Sequence, residues 1–305
     1  MHSNMWRRLT SAAVTLASLA AAGPAAAAPR HSTYTKVLLI VEENRTYGEI
    51  IGSPDAPYLT ALSRTHGTAT RMSANYPVRC PSLAAYILVT SGTTAGICDD
   101  RGPRHHRLAG PNIFAQLNAA HLPWRNYAEN LPTRCALRNS NDGIFLVRHT
   151  AVPYYTNLGR TCRIGQVDLG SSTRGALHDD LAAGNLPAFS FVTPNACNDM
   201  HGARTCPNDR VAAGDRWLKG WIPRILAGAD YRAGRLVVII TWDEGSPTDN
   251  HIPTLVLSPT TRGIVTHQPH NHCSTLRTMQ EILRLALLGC ARSARTMTSD
   301  FALVP

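Results

Sequence analysis

The sequence predicts an α/β fold with a mainly parallel central sheet and helices on both faces. Four apolar runs carry this prediction, at residues 36–41, 187–194, 235–242 and 252–259, because strands buried on both faces have few polar positions. Helix-like segments lie between these runs, and such alternation is typical of parallel sheets. The chain has 305 residues, of which 44% are hydrophobic, so it can build a large core.

The helices are predicted from the spacing of apolar residues. Residues 214–227 are the clearest case, since Trp217, Leu218 and Trp221 share one helical face. The segment 82–90 is apolar enough for a fully buried helix. The other predicted helices are residues 56–63, 112–120, 174–183 and 273–288. In folds of this class ligands bind at the carboxyl ends of the strands, so the residues there are the first candidates for function.

The first 27 residues have the features of a secretory signal peptide. Arg7 and Arg8 supply a charged start, residues 10–22 are apolar or small, and more small residues follow. The apolar run is shorter than the roughly 20 residues that a membrane-spanning helix needs. We therefore expect cleavage after Ala27 or Ala28, a secreted protein, and a single domain over residues 28–305. N-terminal sequencing of the exported protein tests this boundary.

Eight cysteines follow the predicted signal peptide, which indicates disulfide pairing in an oxidising compartment. Eight cysteines allow about 105 pairings, and sequential pairing is the simplest expectation. In that scheme the Cys197–Cys206 pair closes the smallest loop. The alternative of a metal site is weaker, because the cysteine spacing fits no common zinc module.

The net charge is +10, and Lys36 and Lys219 are the only lysines among 30 basic residues. Arginine forks are well suited to phosphate. The densest basic cluster, residues 101–107 with Arg101, is either a solvated loop or a rim that attracts an anionic substrate. With 6% aromatic residues and no basic stripe, we expect no nucleic-acid partner. We also expect no stable membrane insertion, and the sequence leaves the oligomeric state open.

Acidic and amide side chains follow two of the predicted strands directly. Glu43 and Asn44 come after the strand at 36–41, and Asp243 and Glu244 come after the strand at 235–242. If the two strands are neighbours, their carboxylates meet and repel unless a cation lies among them. Oxygen ligands suit a hard divalent ion, so we expect a divalent metal site. The alternative is that each pair caps a helix or forms surface ion pairs.

Ser82 stands just before the apolar helix predicted at 82–90. A hydroxyl there would lie where free N–H groups and the helix dipole favour an anion, which is a suitable place for a nucleophile. The common alternative is that Ser82 only caps the helix. The chain lacks the G-x-S-x-G motif of the usual serine hydrolases.

Four histidines lie near predicted strand edges or helix starts. They are His201, His251, His270 and His272. Together they indicate a set for proton transfer or phosphate binding, although a single loop histidine is more often structural.

The chain resembles the phosphoesterase family that contains bacterial acid phosphatases and non-haemolytic phospholipase C enzymes, within the alkaline-phosphatase-like superfamily. The resemblance extends from about residue 36 to about residue 288. It is carried, in order, by the motifs EENRTY, CPSLAAYILVTSG, GICDD, LPAFSFVTPNACNDMH, GDRWLKGWIPRIL, LVVIITWDEG and HCSTLRTMQEIL.

The resemblance implies a role for each candidate residue. Glu43, Asn44, Asp243 and Glu244 would be the metal ligands. Ser82 would be the nucleophile, and His201 and His272 would act in the phosphate pocket.

His251, His270 and Arg101 are expected to bind substrate. The implied activity is a secreted, metal-dependent hydrolysis of small anionic phosphate monoesters through a phosphoserine. The alternatives are a phospholipase C-like phosphodiesterase and a catalytically impaired phosphate-binding protein. The impaired protein is an alternative because Ala85 stands where the family has an asparagine.

Overall fold

Nine strands in one sheet form the centre of the computed structural model, which describes residues 34–74 and 80–303. The predicted signal peptide lies outside the described residues. The strands are β1 (Lys36–Glu42), β2 (Gly67–Ser73), β3 (Trp124–Ala128), β4 (Gln166–Asp168), β5 (Phe189–Thr193), β6 (Leu236–Trp242), β7 (His251–Leu257), β8 (Val265–Thr266) and β9 (His270–Asn271). The α-helices are α1 (Tyr47–Ile50), α2 (Pro57–Thr65), α3 (Leu83–Ser91), α4 (Ile113–Ala119), α5 (Arg160–Gly165), α6 (Ala176–Ala182), α7 (Arg210–Ala227), α8 (Ala229–Arg232) and α9 (His272–Ile282).

The order of strands across the sheet is β4-β3-β5-β1-β6-β7-β2-β8, with β9 also paired to β2. Strand β1 lies in the middle and pairs in parallel with both β5 and β6. Among the described strands only β7 runs against the others, since it is antiparallel to both β6 and β2. The predicted α/β fold with a mainly parallel sheet is therefore confirmed.

The apolar runs became the central strands because they are buried on both faces. Val37, Leu39 and Val41 are at most 1% exposed, as are the residues between them. The sequence did not predict β2 or β3, in which small or polar residues interrupt the apolar pattern. Asn126 in β3, for example, is fully buried and donates to the carbonyl of Phe191 at 3.1 Å. A buried polar position of this kind removes the apolar pattern from which strands are predicted.

The helix predicted at 82–90 is α3, and all nine of its residues are buried. A disulfide between Cys80 and Cys98 brings Asp100 to its start, where the carboxylate accepts a hydrogen bond from Leu83 N at 3.1 Å. A charged group at a helix N-terminus stabilises the free N–H groups and the dipole. The helix ends at Gly92, whose φ of +76° is left-handed and favours glycine.

The last helix, α9, ends at Ile282 rather than at residue 288 as predicted. Arg284 has a φ of +57°, a left-handed conformation that stops the helix even though apolar residues continue after it. Among the residues that the structure describes, none of the helices has both the length and the apolar composition needed to cross a bilayer.

The eight cysteines form four disulfides with the predicted sequential pairing: Cys80–Cys98, Cys135–Cys162, Cys197–Cys206 and Cys273–Cys290. Each bond closes a local loop of at most 27 residues. Such bonds stabilise the folded chain mainly by restricting the unfolded one, and the effect grows slowly with loop length.

We predict a graded loss of stability when these bonds are removed one at a time. The double variant C197S/C206S should lower the free energy of unfolding by about 2–3 kcal/mol, and C135S/C162S by about 3–4 kcal/mol, because the second pair closes a longer loop. Urea unfolding of both variants measures this. A larger loss from the shorter loop would show that native contacts, rather than chain entropy, dominate there.

Candidate active site

The two acidic strand ends lie side by side, as the metal-site prediction requires. Strands β1 and β6 pair in register to their last residues, Glu42 with Trp242. Asp243 N then donates to the carbonyl of Glu42 at 2.9 Å, so the chain leaves both strands at the same edge of the sheet. Asn44 has a left-handed φ of +46°, which turns the chain sharply and lets Asn44 N donate to Asp243 Oδ1 at 3.0 Å.

Three side-chain oxygens converge at this edge. The side-chain oxygen of Asn44 lies 2.9 Å from Glu43 Oε2 and 3.1 Å from Asp243 Oδ1. Without a cation these contacts repel, and turning the amide by 180° would convert them into hydrogen bonds. Adjacent oxygens around magnesium lie about 3 Å apart, given bonds of 2.0–2.1 Å in octahedral geometry. The donor set therefore fits a hard divalent ion.

The Ser82 hydroxyl joins the same oxygens. It donates to Glu43 Oε2 at 2.9 Å and also lies within hydrogen-bonding reach of Asp243. Ser82 is 2% exposed and, within the described residues, its hydroxyl makes no capping bond to α3. The alternative that Ser82 only caps the helix therefore loses its main support, because Asp100 does the capping.

The carboxylates of the cluster are deeply buried, and burial dominates their titration. Glu43, Asp199 and Asp243 are at most 1% exposed. Burial, and then the charge of Asp243, raise the pKa of Glu43 well above its usual range. Burial also raises the pKa of Asp199 strongly and that of Asp243 to about 6. Three buried acids this close hold their charges poorly by themselves, and a cation would stabilise the charged forms.

His149 connects Glu43 to Asp199. Its Nδ1 lies 2.9 Å from Asp199 Oδ2, and its Nε2 lies 3.2 Å from Glu43 Oε1. Burial lowers the pKa of His149 well below its usual value, which favours the neutral ring. A charged Asp199 would then hold the proton on Nδ1 and leave a lone pair on Nε2 toward Glu43. Tyr86 donates to the same Glu43 oxygen at 2.7 Å and stacks on the His149 ring.

His201 lies beside this chain of contacts. Its backbone N donates to Asp199 Oδ1 at 2.8 Å, and its ring Nδ1 is 2.6 Å from the carbonyl of Gly202. The carbonyl can only accept, so Nδ1 carries the proton and Nε2 accepts from Arg148 at 3.1 Å. Ligand atoms of Glu43, His149 and His201 lie within 4.8 Å of one another, so these residues form a second donor set for a metal ion.

Arg148 brings positive charge to the acidic cluster. Its Nε lies 3.1 Å from Asp100 Oδ2, the carboxylate that also caps α3. The charge of Arg148 opposes the rise in the pKa of both Glu43 and Asp199. Arg148 therefore links the start of the Ser82 helix to the histidines.

His272 has a positioning contact in the structure. Its Nε2 donates to the backbone carbonyl of Asp243 at 2.7 Å, and the ring is buried. Burial lowers the pKa of His272 to about 4. The contact holds the chain of Asp243 at the end of β6.

Three predicted substrate-binding residues are not brought to this cluster. His251 bonds the carbonyl of Thr70 at 2.8 Å and lines a separate cavity together with His270. The His270 side chain is fully buried and lies 3.0 Å from Asp300 Oδ2. Arg101 is exposed and bonds Asp99 at 2.9 Å. Within the described residues, the contacts of these three side chains do not support the substrate-binding role predicted for them.

An open cleft of about 530 Å³ gives access to the site. Asn44 and Glu244 line it, together with Pro81, which precedes Ser82. Arg45 lines it as well and is fixed by hydrogen bonds to the carbonyls of Asn44 and Met200. The cleft therefore opens over the predicted metal ligands.

Four residues of the site were not singled out from the sequence: Tyr86, Arg148, His149 and Asp199. Asp199 follows β5 closely, so the argument from acidic strand ends could have found it. Tyr86 lies one helical turn after Ser82, where its side chain faces the same way. Arg148 and His149 lie in a short 3₁₀ turn within an irregular region, and no sequence pattern marks them.

Three of the four disulfides begin next to a residue of the site. Cys80 is two residues before Ser82, Cys197 is two residues before Asp199, and Cys273 follows His272. These bonds fix the segments that carry the nucleophile candidate and the histidines.

Comparison with known proteins identifies the family of the chain. The Phosphoesterase family model matches residues 53–286. A phosphatidylinositol-3-phosphatase from Mycobacterium tuberculosis is 27% identical over 307 residues, covering 97% of this chain and 94% of the relative. An acid phosphatase from Aspergillus fumigatus is 25% identical over 177 residues, covering 55% of this chain and 37% of the relative.

The fold is shared with solved structures. A protein of the alkaline phosphatase superfamily from Vibrio parahaemolyticus aligns with a TM-score of 0.57 at 13% identity, over 89% of this chain and 74% of that one. One family model thus spans most of the chain, and phosphatases are among its relatives. The protein belongs to the phosphoesterase family and is a hydrolase of phosphate esters.

Proposed function

We propose that this protein is a secreted, metal-dependent phosphatase that hydrolyses phosphate monoesters with Ser82 as the nucleophile. One observation carries the proposal: the Ser82 hydroxyl bonds Glu43 at 2.9 Å, beside the oxygens of Asn44 and Asp243, at the start of an apolar helix. Four disulfides support an oxidising compartment, and therefore export.

Glu43, Asn44 and Asp243 would hold a divalent ion, with Glu244 lining the same cleft. When bound, the ion would lower the pKa of the serine hydroxyl and neutralise charge on the phosphate oxygens. The Ser82 proton leaves along the hydrogen bond to Glu43. His149 Nε2, 3.2 Å from the other Glu43 oxygen, receives it.

Ser82 Oγ forms a bond to phosphorus as the bond between phosphorus and the leaving oxygen breaks. For this step His201 would be protonated on Nε2 as well as on Nδ1; it gives the Nε2 proton to that oxygen, and a phosphoserine remains. Water then attacks phosphorus as the bond between phosphorus and Ser82 Oγ breaks, and inorganic phosphate leaves. The proton held by His149 returns to Ser82 Oγ, and one proton of the attacking water passes to His201, so that both histidines regain their starting states. Arg148 supplies the donor that Ala85 cannot, since its guanidinium lies between Asp100 and His201 at the start of α3.

The monoester is favoured over a diester because the M. tuberculosis relative is named as a phosphatase of a phosphorylated lipid headgroup. A phospholipase C-like phosphodiesterase is the alternative. A panel of one chromogenic monoester, one phosphodiester and a lecithin distinguishes them. Turnover of only the diester or the lecithin would exclude the monoester proposal, and phosphate binding without turnover would indicate an impaired member.

We predict that E43Q and D243N each remove the metal ion, because a ligand and its charge are lost together. Metal content after dialysis against the divalent ion, measured by elemental analysis, gives the readout independently of activity. Full metal content in either variant would mean that the ion is bound elsewhere.

E42Q is the matched control for these variants. Burial, and then the charge of Asp199, raise the pKa of Glu42 well above its usual value, which favours the neutral carboxyl. Glutamine nearly reproduces that neutral side chain. We expect E42Q to keep its metal and most of its activity.

We predict that S82A loses turnover by several orders of magnitude while the fold survives. One lost hydrogen bond should cost about 1 kcal/mol of stability. Ser91, on the same helix, is the matched control, because its hydroxyl donates to the carbonyls of Ile87 and Thr93. S91A should cost similar stability and leave the rate unchanged.

Trapping provides a second measurement for Ser82. Brief incubation with labelled substrate and an acid quench should leave label on the peptide that contains Ser82. Wild-type turnover in S82A, or reproducible label on His201, would remove Ser82 as the nucleophile.

We predict that Arg148 binds the phosphate group. R148Q should weaken inhibition by inorganic phosphate by about 10- to 100-fold, the range for a charge-assisted hydrogen bond, and R148K should recover part of it. R101Q tests the competing candidate from the sequence, since Arg101 is exposed and pairs with Asp99. A larger effect from R101Q than from R148Q would return the role to the 101–107 loop.

The asparagine missing from position 85 allows a further check of Arg148. Ala85 is 1% exposed, so an amide there would have to reach the site from a packed helix. If Arg148 already supplies the donor, A85N should leave phosphate inhibition unchanged. A marked gain in affinity from A85N would mean that the phosphate pocket lacks a donor.

A further inference from the structure

Two large apolar side chains are exposed in the segments that one disulfide joins. Leu137 is 45% exposed and Ile164 is 67% exposed, and only Val265 joins them as an exposed large hydrophobic residue in the described part of the chain. Each of the two lies two residues after a cysteine of the Cys135–Cys162 bond, whose Cα atoms are 5.6 Å apart. The disulfide therefore holds together two segments that each expose one aliphatic side chain to solvent.

Arginines flank these two residues in sequence, and in the described structure they have no acidic partners. Residues 131–141 and 156–165 each contain two arginines and no acidic residue. All four arginines are exposed, and in the described structure none has a carboxylate within ion-pair distance: Arg134, Arg138, Arg160 and Arg163. Asp142 follows the first segment, where its carboxylate accepts from Ser140 Oγ and from Ile144 N.

The basic loop 101–107 extends the same surface. A Cβ added at Gly102 would lie 3.6 Å from the carbonyl oxygen of Leu137, so the two loops lie next to each other. Arg104 and Arg107 in this loop are exposed and, like the other four, have no acidic partner among the described residues. Leu137, Ile164 and these six arginines are called the apolar–basic patch below.

We propose that the apolar–basic patch adsorbs to the surface of an anionic lipid bilayer. Arginines are attracted by the negative potential of the headgroups, and aliphatic side chains enter the boundary of the acyl chains. A nucleic acid would instead be stacked on aromatic rings, and residues 131–141 and 156–165 contain none. An anionic lipid bilayer matches both the positive charge of the arginines and the exposed aliphatic side chains.

The patch is continuous with the loop that reaches the active site. Asp100, next to Arg101, accepts the hydrogen bond from the first residue of the Ser82 helix. A bilayer adsorbed on the patch would therefore bring its phosphate groups close to the loop that leads to the active site. The adsorption itself does not depend on the proposed chemistry, so binding and turnover can be tested separately.

Co-sedimentation of the full protein with vesicles tests the proposal. We expect binding to phosphatidylcholine vesicles that contain phosphatidylserine, little binding to phosphatidylcholine alone, and a decrease as salt rises. L137S/I164S should lower the partition coefficient by about tenfold. R134Q/R138Q/R160Q/R163Q should lower it by at least roughly a hundredfold, at about fivefold per arginine.

V265S/R262Q is the matched control, since Val265 is 50% exposed and Arg262 is an exposed arginine close to it in sequence. It should bind vesicles as the wild type does. Turnover of a soluble phosphate monoester, unchanged in all three variants, would show that the surface changes leave the fold intact.

Three results would overturn the proposal. The first is equal binding of the wild type to vesicles with and without phosphatidylserine. The second is that L137S/I164S binds vesicles as strongly as the wild type and that heparin or RNA binds as tightly as the vesicles do. This result would indicate a basic surface without a role for the aliphatic side chains. The third is a dimer that L137S/I164S dissociates, without any vesicle binding, which would make the patch an interface between two copies.

Discussion

The structure depends on keeping three carboxylates together out of water at the ends of central strands. Glu43, Asp199 and Asp243 are buried, and like charges so close repel strongly where the dielectric constant is low. Each of their neighbours reduces that repulsion: the hydroxyls of Tyr86 and Ser82 donate to Glu43. In the proposed mechanism, a cation among the oxygens would complete the balance of charge and prepare the Ser82 hydroxyl for attack on phosphorus.

The register of the sheet makes this crowding unavoidable. Strands β1 and β6 end at the same level, so the residues that follow them must meet. The left-handed turn at Asn44 then aims its amide at both acids instead of letting the chain move away. Burial raises the pKa of each acid, and the acids are buried because β1 lies in the middle of the sheet. Fold and site therefore share one cause.

The sequence predicted what depends on apolar pattern and missed what depends on polar contacts over long distances. The central strands, the buried helix α3 and the meeting of two acidic strand ends follow from runs of apolar residues with acids after them. Strand β3 was missed because Arg125 and Asn126 interrupt its pattern. His149 and Arg148 were missed because only the folded chain brings their irregular segment against Glu43 and Asp100.

The positions of the disulfides have a consequence for when the protein can work. Three of them tether the segments that carry Ser82, Asp199 and His272, so cysteine oxidation restrains the site covalently. In a reducing cytoplasm the same cysteines remain free thiols, and those segments lack their covalent tethers. In the proposed exported protein, the site would therefore gain its covalent tethers only after the chain has left the cytoplasm.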